Sequence, residues 1–177
     1  CAQREGPTGV NAVNDFCEDF VKSAFKVPSA DDMYNGKVII VRQNDSGLGV
    51  ANGDVAIIFG LKTADSDKPT WYAFIGDLKK IVPAQLLPKY DTACAITIHQ
   101  SQGSGFRDVA IFLPTLSAGS DAASLCTREL LYTGITRSEK TCQIFGAKDV
   151  LGMSLKTVTQ RSGGLPQRLK ERFSEQG

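Results

Sequence analysis

The stretch from Ala93 to Phe145 constrains the fold most, because strand-like and helix-like runs alternate through it with their own start and stop signals. Ala93-Cys94-Ala95-Ile96-Thr97-Ile98 is short, mostly apolar and partly β-branched, and reads as a buried strand of the kind a parallel sheet requires. The polar, glycine-punctuated stretch from Gln100 to Gly105 follows, where an open α/β sheet binds ligands, just past the carboxyl end of a strand. A second strand, Val109 to Leu113, is ended by Pro114. Thr127 is placed to cap a helix whose apolar face is Leu130, Leu131, Gly134 and Ile135. Glu129, Thr133 and Arg137 fall four apart on another face, so Arg137 leaves the helix end as a directed cation. Cys142 to Phe145 reads as the next strand.

Upstream, Val13, Phe16, Cys17, Phe20, Val21, Ala24 and Phe25 repeat with helical spacing and predict a core-facing stripe, with Asn14, Asp15, Glu18, Asp19, Lys22 and Ser23 on the other face. From Lys37 to about Leu87 the chain changes to short strand-like runs separated by turn residues: Val38 to Val41, Asn52-Gly53 before Val55 to Phe59, and Trp71 to Ile75. This predicts a small all-β module. Its Gly47-x-Gly49 lacks the setting of a dinucleotide fingerprint and reads as tight turns. Trp71 and Tyr72 read as packing aromatics rather than base-stacking platforms.

Thr97-Ile98-His99-Gln100-Ser101-Gln102-Gly103-Ser104 and Thr127-Arg128-Glu129-Leu130-Leu131-Tyr132-Thr133-Gly134-Ile135-Thr136-Arg137 resemble motifs V and VI of superfamily 1 helicases, most closely of the RecD family of the RecBCD helicase-nuclease, exonuclease V. Arg4-Glu5-Gly6-Pro7-Thr8-Gly9-Val10 resembles the Arg-Glu-Gly-Pro-x-Gly-Val segment of that family around motif IV. Asn44 to Asp54 resembles its Asn-Asp-x-x-Leu-Gly-x-x-Asn-Gly-Asp segment, which opens an inserted barrel of the Src-homology-three type. Arg161-Ser162-Gly163-Gly164-Leu165 is similar to the Arg-Ser-Gly-Leu near the family's carboxyl end, so the resemblance covers nearly the whole chain.

The resemblance implies an α/β fold: a RecA-like second motor domain of P-loop type, in part, over residues 1–30 and 90–165, a small β-barrel inserted at 31–89, and a charged tail at 166–177. It implies ATP-driven 5′-to-3′ helicase activity on single-stranded DNA in double-strand break repair and recombination, with RecB-like and RecC-like partners in the cytoplasm. Arg137 is then the arginine finger, since phosphoryl transfer is catalysed mainly by positioning and charge stabilisation. Arg4, Gln102 and Gly103 are implied on the ATP side, and Thr97, His99 and Ser101 on the DNA side. Two positions depart from the family's His-Lys-Ser-Gln-Gly-Ser-Glu-Phe: the lysine is Gln100 and the glutamate is Gly105. Losing the lysine predicts fewer phosphate contacts and a flatter salt dependence.

Plainer readings exist for each residue. Arg137 could be a solvated helix-terminal arginine, His99 a surface histidine, Gly103 a turn glycine and Arg4 an exposed side chain of a frayed end. No cysteine or carboxylate cluster suggests a metal site, and the five scattered cysteines read as reduced, cytosolic packing residues. A formal net charge of +1 points to a localised nucleic-acid groove rather than a general DNA-coating surface. No apolar run is of membrane-spanning length. No Gly-x-x-x-x-Gly-Lys-Ser/Thr loop occurs, so ATP with Mg²⁺ is expected to be held mainly by a first motor domain, and the chain is expected to be a carboxy-terminal fragment inactive alone. The alternatives are a non-catalytic DNA- or partner-binding scaffold derived from a helicase half, and a RecD-like helicase acting outside a three-subunit complex.

Overall fold

The computed structural model describes residues 1–63, 66–76, 78–115 and 126–159. The Arg161–Leu165 segment and the tail lie outside the described residues. Helix α1 (Val10–Ala24) is followed by β1 (Val38–Val41), β2 (Val55–Thr63), β3 (Ser66–Ile75), β4 (Lys80–Pro83) and β5 (Tyr90–Thr92). Then come β6 (Phe106–Phe112), α2 (Arg128–Ile135), β7 (Ser138–Phe145) and α3 (Lys148–Lys156). The molecule is of mixed α and β type.

The β-rich segment is one antiparallel sheet in the order β4-β3-β2-β1-β5. Period-2 alternation sends Ile39, Val41, Ala56, Ile58, Ala73, Ile75 and Val82 into one core. Trp71 packs against that core, and Tyr72 stacks on Phe59 with centroids 5.9 Å apart, so both aromatics are packing residues. Among the described residues β4 and β5 do not pair, so the sheet is open where a closed barrel was expected. The Asn44–Asp54 segment is a turn braced by its own side chains. Asp45 Oδ1 accepts from Leu48 N, Asn44 Oδ1 from Asn52 N and Asp54 Oδ2 from Ala51 N. Gly49 and Gly53 take the positive φ values of 61° and 103° that the turn needs.

The second layer is a βαβ unit: β6 and β7 pair in parallel, with α2 between them in sequence. Thr127 caps α2 as expected, its hydroxyl accepting from Leu130 N. Leu130, Leu131 and Gly134 are buried with Ile98, Ile111, Leu113 and Val150, whereas Ile135 lies at the helix end and is exposed. Gly134 admits the close approach: a Cβ there would sit 3.0 Å from Ile111 Cδ1.

Two further expectations are corrected. Ala93–Ile98 forms no strand. Its backbone is held instead by Asn14, whose Nδ2 donates to Thr92 O and Ala95 O and whose Oδ1 accepts from Ala95 N, and by the Cys1 amino group, which donates to Ile96 O. The predicted core stripe of α1 also fails. Phe16, Phe20 and Phe25 are 71%, 66% and 75% exposed, while Asn14, expected on the polar face, is buried. Periodicity gave the helix, but the polar partner of an irregular segment, not the aromatic stripe, set which side faces inward.

Candidate functional site

Arg137 sits two residues past α2, where the chain turns into β7. Its backbone is fixed from both sides: its N–H donates to Gly134 O, and its carbonyl accepts from Phe106 N at 2.8 Å. The guanidinium spreads over three acceptors, Thr133 O through Nε at 3.2 Å, Ser104 O through Nη1 at 3.1 Å and Thr136 Oγ1 through Nη2 at 3.4 Å. None is a carboxylate, and no salt bridge to Arg137 occurs among the described residues. The positive charge is oriented but not neutralised. A charge held this way is available to an external anion at little reorganisation cost.

The contact to Ser104 ties Arg137 to the turn that carries the other predicted residues. His99, Gln100 and Ser101 form a single 3-10 turn. Thr97 and Gln100 close it reciprocally: Gln100 N donates to Thr97 Oγ1 at 3.3 Å, and Thr97 N donates to Gln100 Oε1 at 3.0 Å. This is the logic of a capping box, and the Thr-x-x-Gln spacing announced it in the sequence. Gln100 therefore has a structural task that a lysine could not perform, having no acceptor. His99 is exposed on the turn, as are Gln102 and Gly103, the last with φ +87°. Ser101 is buried and donates to Ile98 O at 2.7 Å, so its hydroxyl braces the turn.

The other departure also has a neighbour. A Cβ placed on Gly105 would lie 2.9 Å from Glu139 Oε1. The carboxylate from β7 occupies the space that a motif V glutamate would enter, a relation invisible in sequence because the two lie on different elements.

Thr97, Ser101 and Arg137 share the wall of an apolar groove of about 790 Å³, together with Phe16, Val38, Ile96, Val109 and Ile111. Of the exposed aromatics of α1, Phe16 faces this groove. His99, Gln102, Gly103 and Arg4 are not part of its lining.

Arg4 lies apart, in a tight turn ahead of α1: Gly9 N donates to Gly6 O, Val10 N to Gln3 O and Asn11 N to Arg4 O. Gly6 has φ +91°, and a Cβ on Gly9 would fall 2.4 Å from Glu5 O and 2.6 Å from Arg4 O. Both neighbours are backbone and cannot swing aside. Gly9→Ala is expected to destabilise the protein by about 1–3 kcal/mol, read as a lower thermal midpoint, because the turn must open to admit the methyl group. The Arg4 side chain donates through Nη2 to Asp91 Oδ2 at 3.0 Å, and Arg42 Nε donates to the same oxygen at 2.6 Å. Partial burial pushes the Asp91 carboxyl up, but the hydrogen bonds and charges of Arg42 and Arg4 outweigh it and hold the group below its ordinary value.

Among the described residues no group of three or more His, Cys, Asp or Glu could hold a metal ion, and no helix is long and apolar enough to cross a membrane. All five cysteines are free, Cys94 exposed and Cys1 and Cys126 buried.

Residues 92–144 match the family described as UvrD-like helicase C-terminal domain. The RecBCD enzyme subunit RecD of Mycolicibacterium smegmatis is 33% identical over 170 residues, covering 96% of this chain and 28% of that protein. The same subunit from Buchnera aphidicola subsp. Acyrthosiphon pisum is 33% identical over 156 residues, 85% of this chain and 24% of that protein. The chain therefore spans about a quarter of the length of these relatives. A solved Pif1 helicase from Bacteroides in complex with ADP-AlF3 and single-stranded DNA superposes with a TM-score of 0.48 at 16% identity, covering 86% of this chain and 37% of that one, a likeness too loose to transfer any contact. With RecD identity sustained across almost its whole length and the UvrD-like helicase C-terminal domain within it, the chain belongs to the RecD family.

Proposed function

We propose that this chain is the second, RecA-like motor domain of an ATP-driven 5′-to-3′ DNA helicase acting in double-strand break repair and recombination. The observation that carries the reading is the Arg137 guanidinium, oriented by three uncharged acceptors and tied through Ser104 to the turn bearing Thr97 and His99. Such an arrangement couples a cation for the γ-phosphate to a surface for the strand, so that one element reports on the other. Arg137 is the finger. Arg4, Gln102 and Gly103 face the nucleotide, and Thr97, His99 and Ser101 belong to the turn that faces the DNA backbone, Ser101 bracing it through Ile98 O.

We read the five-stranded insertion, with β5 returning beside β1 after the 3-10 turn Ala84–Leu86, as an open counterpart of the Src-homology-three type. In this reading ATP with Mg²⁺ is held mainly by a first motor domain, which supplies the phosphate cradle. RecB-like and RecC-like subunits are the proposed partners and the cytoplasm the proposed location. The test is ATP hydrolysis with and without single-stranded DNA, by the complete protein and by these 177 residues alone. DNA-stimulated turnover by the first only is expected. Steady turnover by the isolated 177 residues would sink the two-domain reading.

The strand-facing turn gives a separate expectation. In the complete protein, Gln100→Lys should steepen the dependence of log affinity on log salt by about 0.7, the value for one added phosphate contact on a single strand. It should also cost about 1 kcal/mol of stability, since Thr97 N–H loses its acceptor. Anisotropy titrations across a salt series read the slope. An unchanged slope would mean that this turn does not face phosphates.

A further inference from the structure

Two arginines converge on one carboxylate oxygen at the seam between the amino-terminal turn and the sheet. The Asp91 backbone is held by the sheet and not by either arginine, because it lies in β5, paired with Ile40 of β1. Arg42 follows β1 directly, and its N–H donates to Lys89 O, so its side chain reaches Asp91 at 2.6 Å from a rigid base. Arg42 is the better buried of the two cations, at 16% side-chain exposure against 52% for Arg4. One carboxylate between two guanidinium groups leaves the cluster with one positive charge unbalanced, and that charge lies on the more exposed side, at Arg4.

Arg4 makes its contact through Nη2 alone. A guanidinium carries five N–H donors in a planar fork, so engaging one edge orients the plane and leaves the others for a second, bidentate acceptor. As a bare surface pair the Arg4–Asp91 contact is worth little to folding. Its effect is to fix the direction of an otherwise free side chain.

We propose that Asp91 is a positioning residue for nucleotide binding: backed by Arg42, it holds the Arg4 guanidinium in one orientation so that its free edge meets a phosphate. The inference rests on the reading of Arg4 as a phosphate contact. It also links the sheet insertion to the nucleotide, since Asp91 and Arg42 both belong to the sheet segment and Arg4 does not.

The experiment is steady-state ATP hydrolysis by the complete protein carrying Arg4→Gln, Asp91→Asn or both. Arg4→Gln should raise KM for ATP. Asp91→Asn should raise it about tenfold, with kcat changed by less than about twofold, as befits about 1.4 kcal/mol of lost orientation. In the Arg4→Gln background, Asp91→Asn should add nothing, a non-additivity that a purely structural role would not produce. A rise in KM with Arg4→Gln but not with Asp91→Asn overturns the proposal while leaving the Arg4 reading intact. No change with Arg4→Gln overturns that reading and the proposal with it. Should Asp91→Asn not fold, Arg4→Lys tests the same geometry, because an ammonium keeps the charge but lacks the fork that serves two acceptors in one plane. It should raise KM as Arg4→Gln does, and wild-type KM in Arg4→Lys would overturn the proposal.

Discussion

Arg137→Ala in the complete protein is expected to lower DNA-stimulated ATP turnover by about 10³- to 10⁵-fold while leaving single-stranded DNA binding largely in place. The size follows from the electrostatics of the site. The guanidinium is oriented by Thr133 O, Ser104 O and Thr136 Oγ1 and faces no carboxylate among the described residues, so its charge is committed to nothing inside the chain. A preorganised cation acts where charge develops in the transition state and costs no rearrangement at that moment. Arg137→Lys should rescue little, because an ammonium cannot reach three acceptors in one plane and present a further edge to a phosphate. Stability should hardly change, since the three contacts are exposed or half-buried. A drop of less than tenfold, with the variant folded, would return Arg137 to the status of a solvated helix-end arginine and favour a scaffold over a motor.

Where local signals decided the structure, the sequence was readable. The Thr127 cap, the spacing of Leu130, Leu131 and Gly134, and the β-branched run toward Phe112 all point the same way, and the βαβ unit follows from them. Where a side chain replaced a backbone partner, the reading failed. Ala93–Ile98 has the composition of a strand, but composition cannot say whether a ladder or an amide side chain will take its hydrogen bonds. Asn14 takes them, which reverses the expected orientation of α1, leaving Phe16 on the groove and Phe20 exposed. At the site, the order Thr97, His99, Gln102, Gly103 and Arg137 was legible as a motif. The reciprocal Thr97–Gln100 pair was legible only as spacing, and the approach of Glu139 to Gly105 and of Arg42 and Arg4 to Asp91 required three dimensions.

Asn14→Leu carries the largest expected effect on stability. Leucine matches asparagine in branching and heavy-atom count, so the outline of the side chain is kept, its two methyl groups add some volume, and the hydrogen bonds are removed. Asn14 is 7% exposed, and its amide makes three bonds: to Thr92 O and Ala95 O, both at 3.1 Å, and from Ala95 N at 2.7 Å. An orphaned buried N–H or C=O costs about 1–3 kcal/mol, and partial relaxation of an irregular segment offsets some of this, which puts the loss at roughly 3 kcal/mol. For a domain of this size that is a fall of about 6–12 °C in the thermal midpoint. Asn14→Asp separates hydrogen bonding from shape. Ionised, it would still accept from Ala95 N but would set a charge against two carbonyl oxygens, so its folded pKa rises above the unfolded value of about 4. A raised carboxyl pKa gives stability that is present below the unfolded value and lost as pH rises through the folded one. Asn14→Asp should therefore melt lower at neutral pH and recover part of the loss on acidification, whereas Asn14→Leu should show no such recovery relative to wild type. Equal melting of wild type and Asn14→Leu would mean that the 93–98 segment does not depend on α1 for its hydrogen bonds, and that its bonds to Cys1 and Val38 suffice to anchor it.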